Sequence, residues 1–328
     1  MPSPWLLPLA VVAAACSAPV TPSPDAGPAR CEDTTPWAAA PPLPLGATQE
    51  TAALHLDGKL YVLGGFNGRL GITGEVQVFD LASCTWSAGP ALPAPLHHAN
   101  AAVVGDTLYV LGSLAELEFV PDAAAWSWAP AREATWSALP PMPAAVARGS
   151  AAVGAIGRRI YLAGGLAGRA VATLSSYDVD TRTWTAELAP LPVARDHACG
   201  AVVGDRLYVL GGRQTTTSSV SGTVYEYTPG GAWRARASMP TPRGGVACGV
   251  VGDRIIVAGG EGNPANAAGI FSQVEAYSPA TDSWQSLPAL PTPRHGMAAA
   301  GAGARLLIPG GATRAGFAAT ATFEILTP

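Results

Sequence analysis

The strongest constraint on this chain is a short string that returns six times. Asp205-Arg206-Leu207-Tyr208-Val209-Leu210-Gly211-Gly212 is the clearest copy, and Lys59–Gly65, Arg159–Gly165 and Arg254–Gly260 are close variants. Thr107–Ser113 and Arg305–Gly311 are weaker ones. The first glycine of each copy stands at 64, 112, 164, 211, 259 and 310, so the steps are 48, 52, 47, 48 and 51 residues. A period near 50 signals an array of sheets arranged as blades. Within each copy, a run of apolar and β-branched residues suits a strand buried on both faces. The turn before it, such as Asp57-Gly58 or Gly204-Asp205, suits a tight hairpin. The Gly-Gly after it allows positive φ and close backbone approach.

A second marker keeps step. Trp37, Trp86, Trp136, Trp184, Trp233 and Trp284 are spaced by 49, 50, 48, 49 and 51 residues, and each precedes a Leu-Pro or Met-Pro. A Trp on an outer strand fills the gap between sheets, and proline is tolerated at a free edge. A further strand, such as Glu75–Asp80, lies between Gly-Gly and Trp. Each unit therefore reads as four strands, A to D counted outward. Gly-Gly, an aromatic on strand C, Trp, then Leu-Pro-x-Pro-Arg resembles the kelch repeat over residues 36–328. The resemblance implies an all-β fold, a six-bladed β-propeller of kelch type. Trp37 precedes the first Gly-Gly and no Trp follows the last. Residues 36–40 are therefore expected to supply strand D of the final blade and so close the ring without a free edge.

The chain has 328 residues, 38 Gly and 31 Pro, with 13% charged residues and a net charge of −4. The glycines and prolines fit many short strands joined by turns, and the charge gives no support for nucleic-acid binding. Residues 1–16 read as an export leader of bacterial lipoprotein type: Trp5–Ala15 has the length of a signal-peptide apolar region. Val12-Ala13-Ala14-Ala15-Cys16 resembles a lipobox, which implies lipidation at Cys16; cleavage after Cys16-Ser17-Ala18 is the alternative. Residues 17–35 read as a Pro- and Ser-rich tether. The expected location is periplasmic or cell-surface, attached to the outer membrane only through the lipid.

Four further cysteines remain. Cys31 and Cys84 both precede strands D of neighbouring blades, which suggests a disulfide between them. Cys199 and Cys248 differ by one position in register, which points them to opposite faces of their strands and predicts free thiols. In blade 2, Gly112-Ser113 replaces Gly-Gly. Strand C is expected at Glu116–Val120, followed by an inserted loop, Pro121–Glu133, carrying Trp126 and Trp128. That loop either covers itself or offers an aromatic patch to a partner or sugar.

Loops D–A and B–C emerge at the same end of a propeller. The D–A loops carry Arg148, Arg195, Arg243 and Arg294; the B–C loops carry Arg69, Arg169, Arg213 and Arg314. The acids there are Glu50, Asp196 and Glu261. Converging guanidinium groups suit carboxylates and phosphates. The D–A arginines belong to the kelch pattern itself, so bonds to backbone carbonyls are the competing expectation. His97, His98, His197 and His295 lie in D–A loops of alternate blades; loop-to-loop bonding is expected there, and no metal site or cofactor is assigned. No Ser-His-Asp spacing, P-loop or dinucleotide fingerprint occurs, so no catalytic residue is assigned. The expected function is a non-enzymatic exported binding platform presenting an Arg-rich face to an anionic peptide, glycan or carboxylate ligand, with Arg69, Arg148, Arg169, Arg195, Arg213, Arg243, Arg294, Arg314, His97, His197, His295 and Glu261 as ligand-facing residues and an unknown protein or acidic glycan as partner. The alternative is a sugar-acid isomerase resembling the sialate mutarotases.

Overall fold

The hairpin turns set the architecture. Asp57 and Gly58 have φ of 48° and 72°; two consecutive positive values give the turn whose twist matches flanking strands. That turn joins Ala52–Leu56 to Lys59–Leu63, and Val76–Asp80 and Thr85–Ala88 complete the first sheet. A computed structural model describes residues 36–328, in which this pattern recurs as six four-stranded antiparallel sheets. The innermost strands of blades 2 to 6 are Ala101–Val104, Ala152–Ile156, Cys199–Val203, Ala247–Val251 and Ala300–Ala302. Together they form a six-bladed propeller around an axial channel. No helix among the described residues is long and apolar enough to cross a membrane.

The ring closes as expected. Trp37–Ala40 pairs antiparallel with Phe323–Leu326, placing Trp37 opposite Leu326. The outer tryptophans also lock neighbours together, because each indole N–H donates to a carbonyl of the preceding blade. Trp37 reaches Pro288 at 3.1 Å, Trp86 reaches Pro41 at 2.8 Å, Trp136 reaches Pro90 at 3.0 Å, and Trp184, Trp233 and Trp284 repeat the contact. The core lies between blades. Leu60, Val62 and Phe79 of blade 1 pack with Leu307 and Phe323 of blade 6, each such side chain contributing about 1.5–3 kcal/mol.

Blade 2 differs from the sequence expectation. Gly112 is left-handed but Ser113 is not, so the chain does not leave the sheet. Strand B runs on as Thr107–Ala115 and strand C is Val120–Trp128, with a bulge between Asp122 and Ala125. The supposed inserted loop is mostly that strand. Trp126 and Trp128 are buried, and Trp128 packs edge-on against Tyr61 of blade 1, so neither forms an exposed aromatic patch.

The expectation of free thiols at Cys199 and Cys248 is also overturned. They form a disulfide with a Cα–Cα distance of 5.8 Å. Cys199 stands opposite Leu210 and Cys248 opposite Val257, which are successive positions before their Gly-Gly pairs. Their side chains do leave opposite faces of their strands. Adjacent blades, however, meet face to face, so the forward face of one strand A confronts the backward face of the next. The register offset is what brings the sulfurs together. Cys84 is also disulfide-bonded; the expected pairing with Cys31 lies outside the described residues, as does Cys16.

Candidate functional site: the channel mouth

Each blade contributes one residue to a collar where its D–A loop enters strand A. The six are Glu50, His98, Ser150, His197, Gly245 and Gly296, all left-handed with φ between 53° and 61°. The collar is stitched by backbone bonds running around the axis. Glu50 N–H donates to Gly296 O (2.6 Å), His98 to Glu50 (3.0 Å), Ser150 to His98 (2.9 Å), His197 to Ser150 (3.3 Å), Gly245 to His197 (3.0 Å) and Gly296 to Gly245 (2.9 Å). Four of these residues bear side chains in a conformation costing about 1–2 kcal/mol each. Strain of this kind gathers where the surrounding structure over-determines the backbone, as at ligand sites. The two glycines make room. A Cβ on Gly245 would stand 3.4 Å from Glu261 Oε1 and His295 Nδ1, and one on Gly296 would strike the Glu50 carboxylate.

A buried polar network fills the collar. Asp196 Oδ1 accepts from His197 Nδ1 (2.5 Å) and Arg213 Nε (3.0 Å), and Asp196 Oδ2 accepts from Thr215 N–H (2.9 Å). Arg213 also pairs with Glu261 and donates to His197 Nε2 at 3.0 Å. His98 Nε2 lies 2.9 Å from His197 Nε2 and 3.1 Å from Glu50 Oε2. Behind it, His97 Nε2 donates to Glu116 O (2.9 Å) and His97 Nδ1 meets His98 Nδ1 (2.6 Å). Burial, with His98 alongside, pulls His97 down to about 4, so this ring is neutral. Burial and the Arg213 charge likewise lower His197. Burial pushes Glu50 and Asp196 up, but the imidazoles beside them, and for Asp196 also the Arg213 guanidinium, outweigh it and hold both below the usual carboxylate range.

The D–A arginines do not reach this mouth. Arg148, Arg195, Arg243 and Arg294 are at most 2% exposed, and each turns back into its own blade. All four donate to the carbonyl of the first glycine of Gly-Gly: Gly164 (2.6 Å), Gly211 (2.8 Å), Gly259 (2.8 Å) and Gly310. Arg243 and Arg294 also meet Glu275 (2.5 Å) and Glu324 (2.7 Å). The backbone carbonyls of Arg195, Arg243 and Arg294 accept from the second glycine of the preceding blade, at 2.8, 3.0 and 2.8 Å. These residues staple blades; they are not the expected anion site, because a carbonyl cage takes the guanidinium before any ligand can. Arg69, Arg169 and Arg314 are exposed on the rim. Of the expected ligand-facing residues, the structure brings Arg213, His197, His295 and Glu261 together in the mouth, and sets His97 behind His98.

A family model described as "KLHDC2/KLHL20/DRC7 Kelch-repeats domain" matches residues 33–212, and one described as "Kelch motif" matches residues 242–291. The Kelch-like protein terF of Aspergillus terreus is 34% identical over 89% of this chain and 68% of its own length. The chain belongs to the kelch-repeat family. Human Kelch-like protein 34 is 31% identical over 68% of the chain, and mouse Kelch-like protein 35 is 32% identical over 53%. The chain spans only 36% and 29% of those two relatives.

Two groups at the mouth of this kelch propeller escaped the sequence reading. Glu50 and His98 belong to this face in the sequence but not to its expected ligand-facing residues, although counting two residues on from each D–A arginine and carrying the blade period back reaches both. An apolar crescent was also missed. Phe66, the residue after the first Gly-Gly, lies 5.2 Å from Phe317 and 6.1 Å from Phe119 between ring centres. The corresponding residues of blades 4 and 5 are Arg213 and Glu261, so the mouth is apolar on one side and charged on the other.

Proposed function

We propose that this kelch propeller is a binding platform that takes an anionic peptide or acidic glycan on the mouth face. The observation that carries this is the crescent. Leu70, Leu117 and Phe317 are 44%, 51% and 38% exposed and sit on B–C loops of blades 1, 2 and 6, which are consecutive around the ring. Exposed apolar groups gathered on one face and rimmed by charge mark interaction sites. Arg314, Arg69 and Arg169 stand on the same arc, and among the described residues their guanidinium groups enter no ion pair. The anion therefore meets the rim. The neck, with Glu50, Asp196 and Glu261 around Arg213, repels it.

The test is a peptide and glycan array probed with the purified chain, followed by titration of the best ligand against salt. Affinity is expected to fall as salt rises and to drop at least ~10-fold in the Leu70→Ser, Leu117→Ser, Phe317→Ser variant, the size expected for losing a central contact. Binding that survives both changes would refute the reading.

We further propose export and anchoring through Cys16, with the protein attached to the outer membrane. The support is the Cys199–Cys248 disulfide, since such bonds persist in oxidising compartments. Membrane fractionation with labelled fatty acid should show lipid on the wild type and none on Cys16→Ser. A soluble, unlabelled wild type would reject anchoring, and free thiols at Cys199 and Cys248 would reject export.

A further inference from the structure

We propose that Glu50, His98 and His197 form a binding site for a divalent first-row transition ion at the neck of the channel. The acceptors in this network fix where several of its hydrogens sit. Glu116 O can only accept, so His97 Nε2 carries the hydrogen of that bond. In the neutral ring His97 Nδ1 is then an acceptor, and its 2.6 Å partner, His98 Nδ1, must donate. In the neutral His98 ring Nε2 is then an acceptor. His197 Nδ1 donates to Asp196, so in the neutral ring His197 Nε2 is an acceptor too, with Arg213 Nη2 as its donor at 3.0 Å. The two Nε2 atoms thus face each other at 2.9 Å, with the Glu50 carboxylate 3.1 Å from His98 Nε2. Arg213 sends one of its donors to His197 Nε2 and the others to Asp196 and Glu261, and none to His98 Nε2.

The spacing fits a cation. Ligand bonds of about 2.0–2.2 Å at angles near 90–110° put neighbouring donor atoms roughly 3.0–3.5 Å apart. The three atoms here all lie within 4.8 Å of one another. Two imidazoles and a carboxylate are the donor set of a borderline divalent ion such as zinc or iron(II). The supporting shell is also present: Asp196 orients His197 and His97 orients His98, as carboxylates and hydrogen-bond acceptors behind ligating imidazoles commonly do. A second observation points the same way. Across the neck, His295 Nδ1 and Glu261 Oε2 are buried without any hydrogen-bond partner, 3.4 Å apart. His295 Nε2 donates to Arg314 O, so its Nδ1 too is an acceptor in the neutral ring. The neck therefore holds five inward-facing acceptor groups against one guanidinium, an arrangement that a bound cation relieves.

The experiment uses the full chain, stripped with a chelator and dialysed against zinc or cobalt(II) alone. One ion per chain is expected. X-ray absorption of the cobalt form should show two imidazoles and no sulfur. His98→Gln, His197→Gln and Glu50→Gln should each lower zinc affinity by at least ~10-fold, and Asp196→Asn, which leaves every ligand in place, by roughly 10–100-fold. Lys59→Ala, at an A–B hairpin turn away from the mouth, should leave zinc affinity unchanged. Absence of saturable binding, sulfur ligation, or binding indifferent to the three ligand substitutions would overturn the proposal. If those variants do not fold, the wild-type spectrum alone decides it. Because the ligand-binding crescent is tested by array binding and the ion by spectroscopy, either proposal can fail without the other.

Discussion

Arg243 and Arg213 lie in the same blade pair, on the same end of the propeller, yet serve opposite ends. Arg243 is fully buried and its donors go to Gly259, Thr241 and Val257 carbonyls and to Glu275. Arg213 keeps a side chain 12% exposed and spends its donors on Asp196, Glu261 and His197. The difference is one of direction. A D–A arginine follows a proline-rich turn and points outward into the blade, where backbone carbonyls freed by Gly-Gly await it. Arg213 stands immediately after Gly-Gly, bridged to Asp196, and so projects into the mouth. Residue type and face are shared; the partner decides whether the charge builds the fold or the site.

The largest effect should come from breaking the staple where it includes a carboxylate. Arg243→Met strands Glu275, 4% exposed at its side chain, and should cost about 3–5 kcal/mol in denaturant unfolding. Adding Glu275→Leu should recover most of that loss; if it does not, the carbonyl contacts matter more than the ion pair. Arg148 tests this directly, since its hydrogen-bond partners are carbonyls, Ser175 and Met142. Arg148→Met orphans no carboxylate and should cost less, about 2–3 kcal/mol, measured the same way. Arg213→Met should come next, at about 1–3 kcal/mol, because Asp196 keeps His197 and the Thr215 amide as donors. The smallest effect belongs to the rim: Arg169→Ala should stay within about 0.5 kcal/mol in stability while weakening ligand capture. A rim substitution as damaging as Arg243→Met would abolish the distinction.

The blade count, the ring closure through Trp37 and the shared face of the D–A and B–C loops were legible because they follow from periodicity and strand order. The site was less so. Spacing places Arg195 and Arg213 in loops of one face but does not say which points inward. Blade 2 misled because a single Gly-to-Ser change at position 113 lets a strand continue, and the string around it still looks like a loop. Cys199 and Cys248 mislead for a different reason: alternation holds within each strand, but the bond forms between strands of facing sheets.

What the residues alone determined is a circle of six sheets, since a period of about 50 with a tight turn, a buried strand and Gly-Gly in each unit leaves few other ways to bury the apolar runs. What only the folded chain decided is the chemistry at the axis. Glu50 and His197 are 147 positions apart in the sequence and become neighbours of His98 only when the ring closes and the collar turns each backbone left-handed. Contacts between repeats depend on curvature and facing, and a one-dimensional repeat records neither.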